Sequence, residues 1–348
     1  MTTWKLILAL AWAAVSGQAA VHLTLVTNLA GFSGSADRLV WTSQEWVSPV
    51  PFRELVVSWN ALPETSFRLE ARISSSEDTV QSFTIARWSS GTNVGTRTSI
   101  NGQRYRAGRM DTDTLTLTRD VSAVRIRIEF DSAVEGPAAV PLIVLSTWSP
   151  DSPHTNALPV PPSALRVIEV PRKSQADYPE GVTKWCSPTS TAMLLAHWGK
   201  VLARPELDLD VRTVAAGVYD PGWPGTGNWV FNTAFAGSKP GLRSCAARLG
   251  GIADLHALIS AGLPAAVSVS YAQLKGAANV AEGDGHLVVV CGFTPTAVVI
   301  NDPGVRLERV RREIPVADFQ RAWEASHRTA YLVWPANSTL PPSPLGTW

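Results

Sequence analysis

Hydrophobic and polar residues alternate along the first part of the chain, over residues 21–148. Segments such as 66–73 and 124–130 put apolar residues on one face and Arg, Thr or Glu on the other, which is the pattern of half-buried antiparallel strands. Clusters of turn-forming residues separate these segments, and no long helical period lies between them. The pattern predicts an all-β sandwich over residues 21–148.

The pattern changes after a proline-rich segment, residues 149–166, which is predicted to be an extended linker because proline interrupts helices and central strands. Helical stretches then mix with short apolar runs that are typical of buried strands. The helical stretches are 188–198, 228–236 and 253–260, and the apolar runs are 265–269, 287–290 and 297–300. A second domain of the α+β class is therefore predicted over residues 167–335, followed by a flexible tail at 336–348.

The first twenty residues have the order of a secretory signal peptide. Lys5 is followed by an apolar run at 6–15 and by small residues ending at Ala19 and Ala20. The run is about ten residues long, short of the roughly 20 that span a bilayer. We expect a secreted or cell-envelope protein with no transmembrane segment after signal removal; a buried N-terminal helix or an uncleaved anchor is the alternative.

Composition narrows the function classes. The 348 residues are 45% hydrophobic and 17% charged, which is typical of a globular protein. The net charge of +1 supplies no field to attract phosphate backbones, so nucleic acid is not an expected partner. No metal site or cofactor is predicted, because His197 and His256 stand alone and no phosphate-binding loop occurs.

Cys186 is the candidate nucleophile. It lies just before a predicted helix in which Pro188 suits the first turn. At that position, unpaired amides and the helix dipole stabilise a thiolate. The alternative is an inert buried thiol. Cys245 and Cys291, the other two cysteines, lie in strand-like stretches and either form a disulfide or remain two buried thiols.

His286 and Asp302 are the candidate partners of this thiol. His286 begins an apolar strand, and Asp302 follows the next one, so an antiparallel hairpin brings them side by side. An imidazole there can take the thiol proton while the carboxylate orients the ring. The alternatives are a structural histidine and an Asn-Asp-Pro-Gly turn. Gln175 is a candidate oxyanion-hole donor, with a solvated loop residue as the alternative.

These motifs resemble those of the papain superfamily of cysteine peptidases, and are similar to the bacteriocin-processing (double-glycine leader) peptidases. The shared features are Gln175, the segment 185–190 around Cys186, the segment 285–290 around His286, and Asp302 in 301–303, in that chain order. The resemblance implies a papain-like domain with a Cys-His-Asp triad and Gln175 in the oxyanion hole. The first domain resembles a galactose-binding-type jelly roll.

The predicted function is a secreted cysteine peptidase that hydrolyses peptide bonds through a thioester. Trp185, Trp223 and Trp229 are candidate contacts for a peptide or protein substrate, since the loop 221–229 is able to wall a cleft. Two alternatives stay open. One is an acyltransferase that uses the same triad. The other is an inactive surface protein whose first domain binds carbohydrate, with Trp41, Trp46, Trp59 and Trp88 as candidates for stacking on sugars.

Overall fold

The computed structural model describes residues 21–348, except residue 28 and residues 75–79, 91–96, 133–135, 151–160 and 282. The predicted signal peptide and most of the predicted linker therefore lie outside the described residues. The described chain forms two domains, of which the first is mostly β and the second combines helices with a sheet. Within these ranges, no helix is both long and apolar enough to cross a membrane.

Alternating apolar residues build the N-terminal domain from antiparallel strands. The described strands are β1 (Val21–Val26), β2 (Phe32–Gly34), β3 (Val40–Ser43), β4 (Trp46–Asn60), β5 (Ser66–Ser74), β6 (Val80–Ser89), β7 (Thr98–Ser99), β8 (Gln103–Tyr105), β9 (Gly108–Asp111), β10 (Thr114–Phe130) and β11 (Leu142–Trp148). The main path of paired strands is β1-β11-β4-β10-β5-β6-β7. Strand β10 pairs with β4 and β9 along its first part and with β5 and β3 along its last part. Two register shifts in its pairing with β4 redirect the strand between these partners.

Aromatic rings fill the core of this domain. Trp59 meets Phe67 and Trp88 edge-on, with ring centroids 6.1 and 5.6 Å apart, and Phe67 meets Phe130 at 5.9 Å. Trp59 and Trp88 are buried. These two tryptophans are therefore unavailable for stacking on sugars, because they are buried in the core of the domain. The prediction that they contact carbohydrate is wrong.

The C-terminal domain packs helices against a second antiparallel sheet. Its elements are α1 (Cys186–Val201), α2 (Val211–Val218), α3 (Trp229–Gly237), β12 (Leu242–Arg248), α4 (Ile252–Ser260), β13 (Ala265–Ser270), α5 (Tyr271–Leu274), β14 (Gly285–Phe293), β15 (Ala297–Asn301), β16 (Arg311–Pro315), α6 (Val316–Glu324) and β17 (Thr329–Pro335). The strand order is β12-β17-β13-β14-β15-β16. The long helix α1 is buried along most of its length and contacts β14, so the sheet supports the residues at the start of the helix.

The domains meet where β12 forms one edge of the second sheet. Asn60 of the first domain donates from Nδ2 to the Ser244 carbonyl at 2.8 Å and accepts from the Ser244 N–H at 3.0 Å. The hydroxyl of Ser146 accepts from the Arg248 N–H at 2.8 Å. Side chains of one domain thus satisfy edge-strand groups of the other.

The end of the segment 336–348, which was predicted to be a flexible tail, forms hydrogen bonds to both domains. Thr347 is buried, donates from its hydroxyl to Asp254 at 2.6 Å and accepts from the Leu23 N–H at 2.6 Å. Ser343 also donates to Asp254, at 2.7 Å. These long-range hydrogen bonds and the burial of Thr347 attach the end of the segment to the rest of the chain.

Candidate active site

Helix α1 begins at Cys186. Pro188 occupies its first turn, where a backbone N–H has no partner within the helix, and the first such bond runs from the Thr189 N–H to the Trp185 carbonyl. The Cys186 side chain is partly buried. The backbone N–H groups of Leu287 and Ser187 favour the ionised form of its sulfur and lower the pKa of the thiol. The helix start therefore surrounds the sulfur with donors that favour a thiolate.

His286 is the second residue of β14, where it lies opposite Val269 of β13. The side chain is buried, and its ring packs against the ring of Tyr271 with centroids 4.2 Å apart. Its Nε2 lies 2.8 Å from Oδ1 of Asp302. On its other side, the ring lies close enough to Cys186 for each group to shift the pKa of the other. The imidazole thus connects the thiol to a carboxylate.

Asp302 follows directly after β15, which pairs antiparallel with β14 and so returns the chain toward His286. The carboxylate is fully buried, but each oxygen has partners. Oδ1 also accepts from the Gly304 N–H at 2.9 Å, and Oδ2 accepts from a guanidinium nitrogen of Arg312 at 2.6 Å. These bonds fix the carboxylate that orients the imidazole.

The three groups shift one another's pKa values. Burial disfavours the thiolate of Cys186, but the hydrogen bond and positive charge of His286 outweigh burial and lower the pKa of the thiol. Burial also opposes the imidazolium, yet the hydrogen bonds to Asp302 and Cys186 raise the pKa of His286 to about 9. Burial opposes the ionised form of Asp302 as well, and the bond to His286 overcomes it and lowers the pKa of that carboxyl. Together these shifts favour a thiolate–imidazolium pair.

Gln175 lies beside the same loops. It begins a short 3-10 helix capped by Ser174, and its backbone N–H donates to the carbonyl of Pro303 at 3.0 Å. Its side-chain Nε2 donates to the Val182 carbonyl at 2.8 Å. The Oε1 atom is buried without a partner among the described residues. One N–H of the amide therefore remains to contact a ligand.

The three tryptophans predicted as substrate contacts do not share one pocket. Trp185 lines a pocket of about 620 Å³, and Trp229 lines another of about 360 Å³ that also touches Gly285, next to His286. Trp223 lies over Gly225 and Gly227 in an exposed loop, with 45% of the residue accessible. Two pockets thus flank the residues that adjoin the thiol and the imidazole.

Sequence reasoning missed Arg312 and Tyr271. Both reach the site through strand pairing, because β16 carries Arg312 beside β15 and Tyr271 follows β13. Of the two remaining thiols, neither Cys245 nor Cys291 is in a disulfide, and both are buried. Among the described residues, no group of three or more His, Cys, Asp or Glu side chains is arranged to hold a metal ion.

A thiol at a helix start, facing an imidazole and a carboxylate on neighbouring strands, is the arrangement of nucleophilic thiol enzymes. A family model described as "Peptidase_C39 like family" matches residues 167–331, and one described as "Peptidase C39 N-terminal domain" matches residues 21–146. The chain therefore carries a C39-like peptidase domain behind a C39 N-terminal domain. This confirms the predicted resemblance of the second domain to the double-glycine leader peptidases.

Two solved structures are similar to part of the chain. A protein from Bacillus anthracis, described as a C39-like peptidase, is 20% identical with a TM-score of 0.39, covering 49% of this chain and 98% of its own. A double glycine motif protease from an AMS/PCAT transporter, solved with its leader peptide, is 18% identical with a TM-score of 0.34, covering 49% of this chain and 94% of its own. No match was found among the curated proteins.

Proposed function

We propose that the protein is a cysteine peptidase in which Cys186 is the nucleophile, His286 the general base and acid, and Asp302 the residue that orients His286. The observation that carries this proposal is the placement of the buried His286 ring, which hydrogen-bonds the buried Asp302 carboxylate at 2.8 Å and lies close enough to the Cys186 thiol for the two groups to shift each other's pKa values. Each pKa shift among the three groups favours the thiolate–imidazolium pair that attacks a carbonyl carbon.

The reaction proceeds in two halves. The Cys186 thiolate attacks the peptide carbonyl, the imidazolium of His286 gives its proton to the leaving amine, and a thioester remains on the sulfur. The neutral imidazole then takes a proton from water, which attacks the thioester and releases the acid. The backbone N–H of Cys186 donates to no acceptor among the described residues, and with the remaining N–H of Gln175 it supplies donors for the oxyanion.

The proposal extends to architecture and location. We infer a papain-like arrangement for residues 167–335, a jelly-roll-like one for residues 21–148, and export directed by residues 1–20. Cell fractionation of the producing organism, with and without residues 2–20, tests the last of these. Accumulation outside the cytoplasm that requires this segment supports export, and an equal distribution of the two forms contradicts it.

A peptide library tests the activity. Incubation of the purified protein with a mixture of peptides, followed by mass spectrometry, should yield cleaved products that are absent with the Cys186→Ala variant. Products that are joined rather than cleaved would indicate acyl transfer to an amine instead of water. No turnover of any peptide would contradict the proposal.

Alkylation of the three thiols provides a control that needs no substrate. Iodoacetamide near pH 6 should label Cys186 at least about 10²-fold faster than Cys245 or Cys291, because a thiolate is the reactive form. Burial raises the pKa of Cys291 to about 12, and it raises the pKa of Cys245 still further. Equally slow labelling of all three cysteines, measured by peptide mapping, would count against an activated thiol.

A further inference from the structure

The pocket of about 620 Å³ lies beside the two residues that precede Cys186, Lys184 and Trp185. Its opposite walls come from α2 and from the loop that follows it. These walls contribute Ala215, Ala216, Tyr219, Pro224, Gly225 and Thr226. The hydroxyl of Thr226 donates to the Lys184 carbonyl at 3.0 Å and so ties the loop to the segment before the nucleophile. The pocket therefore adjoins the segment that leads into the nucleophile.

Most of the lining is apolar, although three of its ten residues are charged. Two charged lining residues, Glu180 and Arg212, pair with each other at 2.6 Å, which leaves Lys184 as the charged lining residue without an ion pair among the described residues. Three large hydrophobic residues that are unusually exposed stand in or near the pocket walls: Val182 at 45%, Tyr219 at 39% and Trp223 at 45%. Exposed apolar surface of this kind, in a concave site, is typical of a place where a ligand is buried.

The N-terminal domain holds the outer wall of this pocket. Arg97 is buried and donates to the carbonyls of Ala216 at 2.9 Å and Tyr219 at 3.3 Å. The backbone N–H of Ser99 donates to the Asp220 carboxylate at 2.9 Å, and that carboxylate also accepts from the Asn228 side chain at 2.8 Å. The wall is thereby fixed before any ligand arrives, which reduces the entropy cost of binding.

We propose that this pocket is a side-chain subsite of the peptidase, which takes a large apolar side chain, such as that of phenylalanine, from a peptide residue close to the cleaved bond. The inference rests on the proposed function. Its chemical basis is the largely apolar lining next to the two residues that precede the nucleophile. The pocket volume of about 620 Å³ accommodates a whole aromatic side chain together with part of the peptide backbone.

Peptide-like alkylating reagents test the subsite without requiring turnover. We would measure the rates at which chloromethyl ketones of Ac-Phe-Ala, Ac-Ala-Phe and Ac-Ala-Ala alkylate Cys186, each divided by the iodoacetamide rate of the same protein. One Phe reagent should react about tenfold faster, or more, than the Ala-Ala reagent, because burial of an aromatic side chain favours its binding.

Two substitutions on α2 distinguish an effect of the pocket from an effect of altering the helix. Ala216 is exposed and lines the pocket, so Ala216→Trp should fill it. The ratio of the Phe-reagent rate to the Ala-Ala rate, called the Phe preference, should then fall to about one. Thr213 is exposed on the same helix and does not line the pocket, so Thr213→Trp should keep the preference. A wild-type protein without the preference, or an Ala216→Trp variant that keeps it, overturns the subsite. Failure of the proposed function differs from both, because iodoacetamide would then label Cys186 slowly in every variant.

Discussion

His286 lies between a thiol and a carboxylate, and both neighbours raise the pKa of its ring. Nε2 faces the buried oxygen of Asp302, and the ring also interacts with the thiol of Cys186, which raises the pKa of the imidazole. Because both neighbours are negative when ionised, the imidazolium is favoured despite burial, and the pKa of His286 rises to about 9. The same positive charge lowers the pKa of Cys186, so the ion pair exists above the lowered thiol pKa and below about pH 9.

This coupling predicts the pH dependence of peptide cleavage. In the wild-type protein, kcat/KM should fall as pH rises through about 9, since His286 then loses the proton that the leaving amine needs. Asp302→Asn removes the charge that supports the imidazolium. We therefore expect this alkaline limb to move to lower pH and the maximal rate to fall roughly 10²-fold, measured by initial rates across the pH range.

The control for this experiment is Asp208→Asn, which removes an exposed carboxylate paired with Lys173 at 2.6 Å on the surface. That variant should keep the wild-type profile. An alkaline limb that stays in place in Asp302→Asn would mean that the carboxylate does not act through His286.

Local sequence signals identified some residues of the site and gave no indication of others. Cys186, His286 and Asp302 stand next to signals that act within a few residues: a helix start, a strand start and a turn. Arg312 and Tyr271 have no such signal, since Arg312 reaches Asp302 only through the pairing of Ile300 with Arg312 in neighbouring strands. Registers of this kind depend on the whole sheet, so spacing along the chain could not identify them.

Among the elements, α3 has an N-terminus capped by both domains. Its own cap is Asn228, whose side chain accepts from the Phe231 N–H at 3.1 Å. Asp113, which lies between β9 and β10 of the N-terminal domain, accepts from the Trp229 N–H at 2.7 Å. Burial raises the pKa of Asp113 to about 6, although the hydrogen bond from Trp229 and the charge of Arg248 act in the opposite direction. The folded protein therefore binds a proton at Asp113 that the unfolded chain releases at lower pH.

Asp113→Asn should change how stability depends on pH. Because the pKa of Asp113 is raised in the folded state, ionisation of this carboxyl destabilises the folded wild-type protein. This destabilisation is absent below the unfolded-state pKa near 4 and reaches its full size above about pH 7. A shift of about two pKa units corresponds to about 3 kcal/mol. The free energy of unfolding of Asp113→Asn, minus that of the wild type, should therefore rise by about 3 kcal/mol between pH 4 and pH 7, measured by chemical denaturation.

Asp111→Asn is the matched control, because Asp111 lies two residues away with half of its side chain exposed. The free energy of unfolding of Asp111→Asn, minus that of the wild type, should change little with pH. A flat difference for Asp113→Asn as well would mean that its carboxyl titrates alike in the folded and unfolded states.

Element patterns were predictable where the period extended over many residues. The nine residues of β5 and the sixteen of α1 leave a readable alternation or helical stretch. Strands β7 and β8, with two and three residues, are too short for a period of two to be recognised. The cap from Asp113 was also beyond sequence analysis, because it joins positions more than a hundred residues apart.

At the scale of the whole molecule, side chains of the N-terminal domain bond the backbone of the edge strand β12, as a further strand would do. Asn60 matches the Ser244 N–H and C=O, and the Ser58 hydroxyl accepts from the Ala246 N–H at 3.2 Å. A Cβ at Gly237 would lie 2.1 Å from the Asn60 amide, so the absence of a side chain there permits the contact. No local pattern marks such an interface, since serine and asparagine within strands are equally typical of solvent-facing positions.

Asn60→Ala tests whether this contact supports the whole molecule. It should leave the N–H and C=O of Ser244, a fully buried residue, without partners, at a cost of about 1–3 kcal/mol for each group. We expect the free energy of unfolding, measured by denaturant titration, to fall by about 2–5 kcal/mol, whereas Asn337→Ala, in an exposed turn after β17, should stay within about 0.5 kcal/mol of the wild type. Equal, small effects of both substitutions would mean that water replaces Asn60 at β12 and that the interface is open to solvent. A large loss for Asn60→Ala alone instead means that the second sheet depends on the N-terminal domain, because one buried amide then stabilises the edge on which β17 and β13 are built.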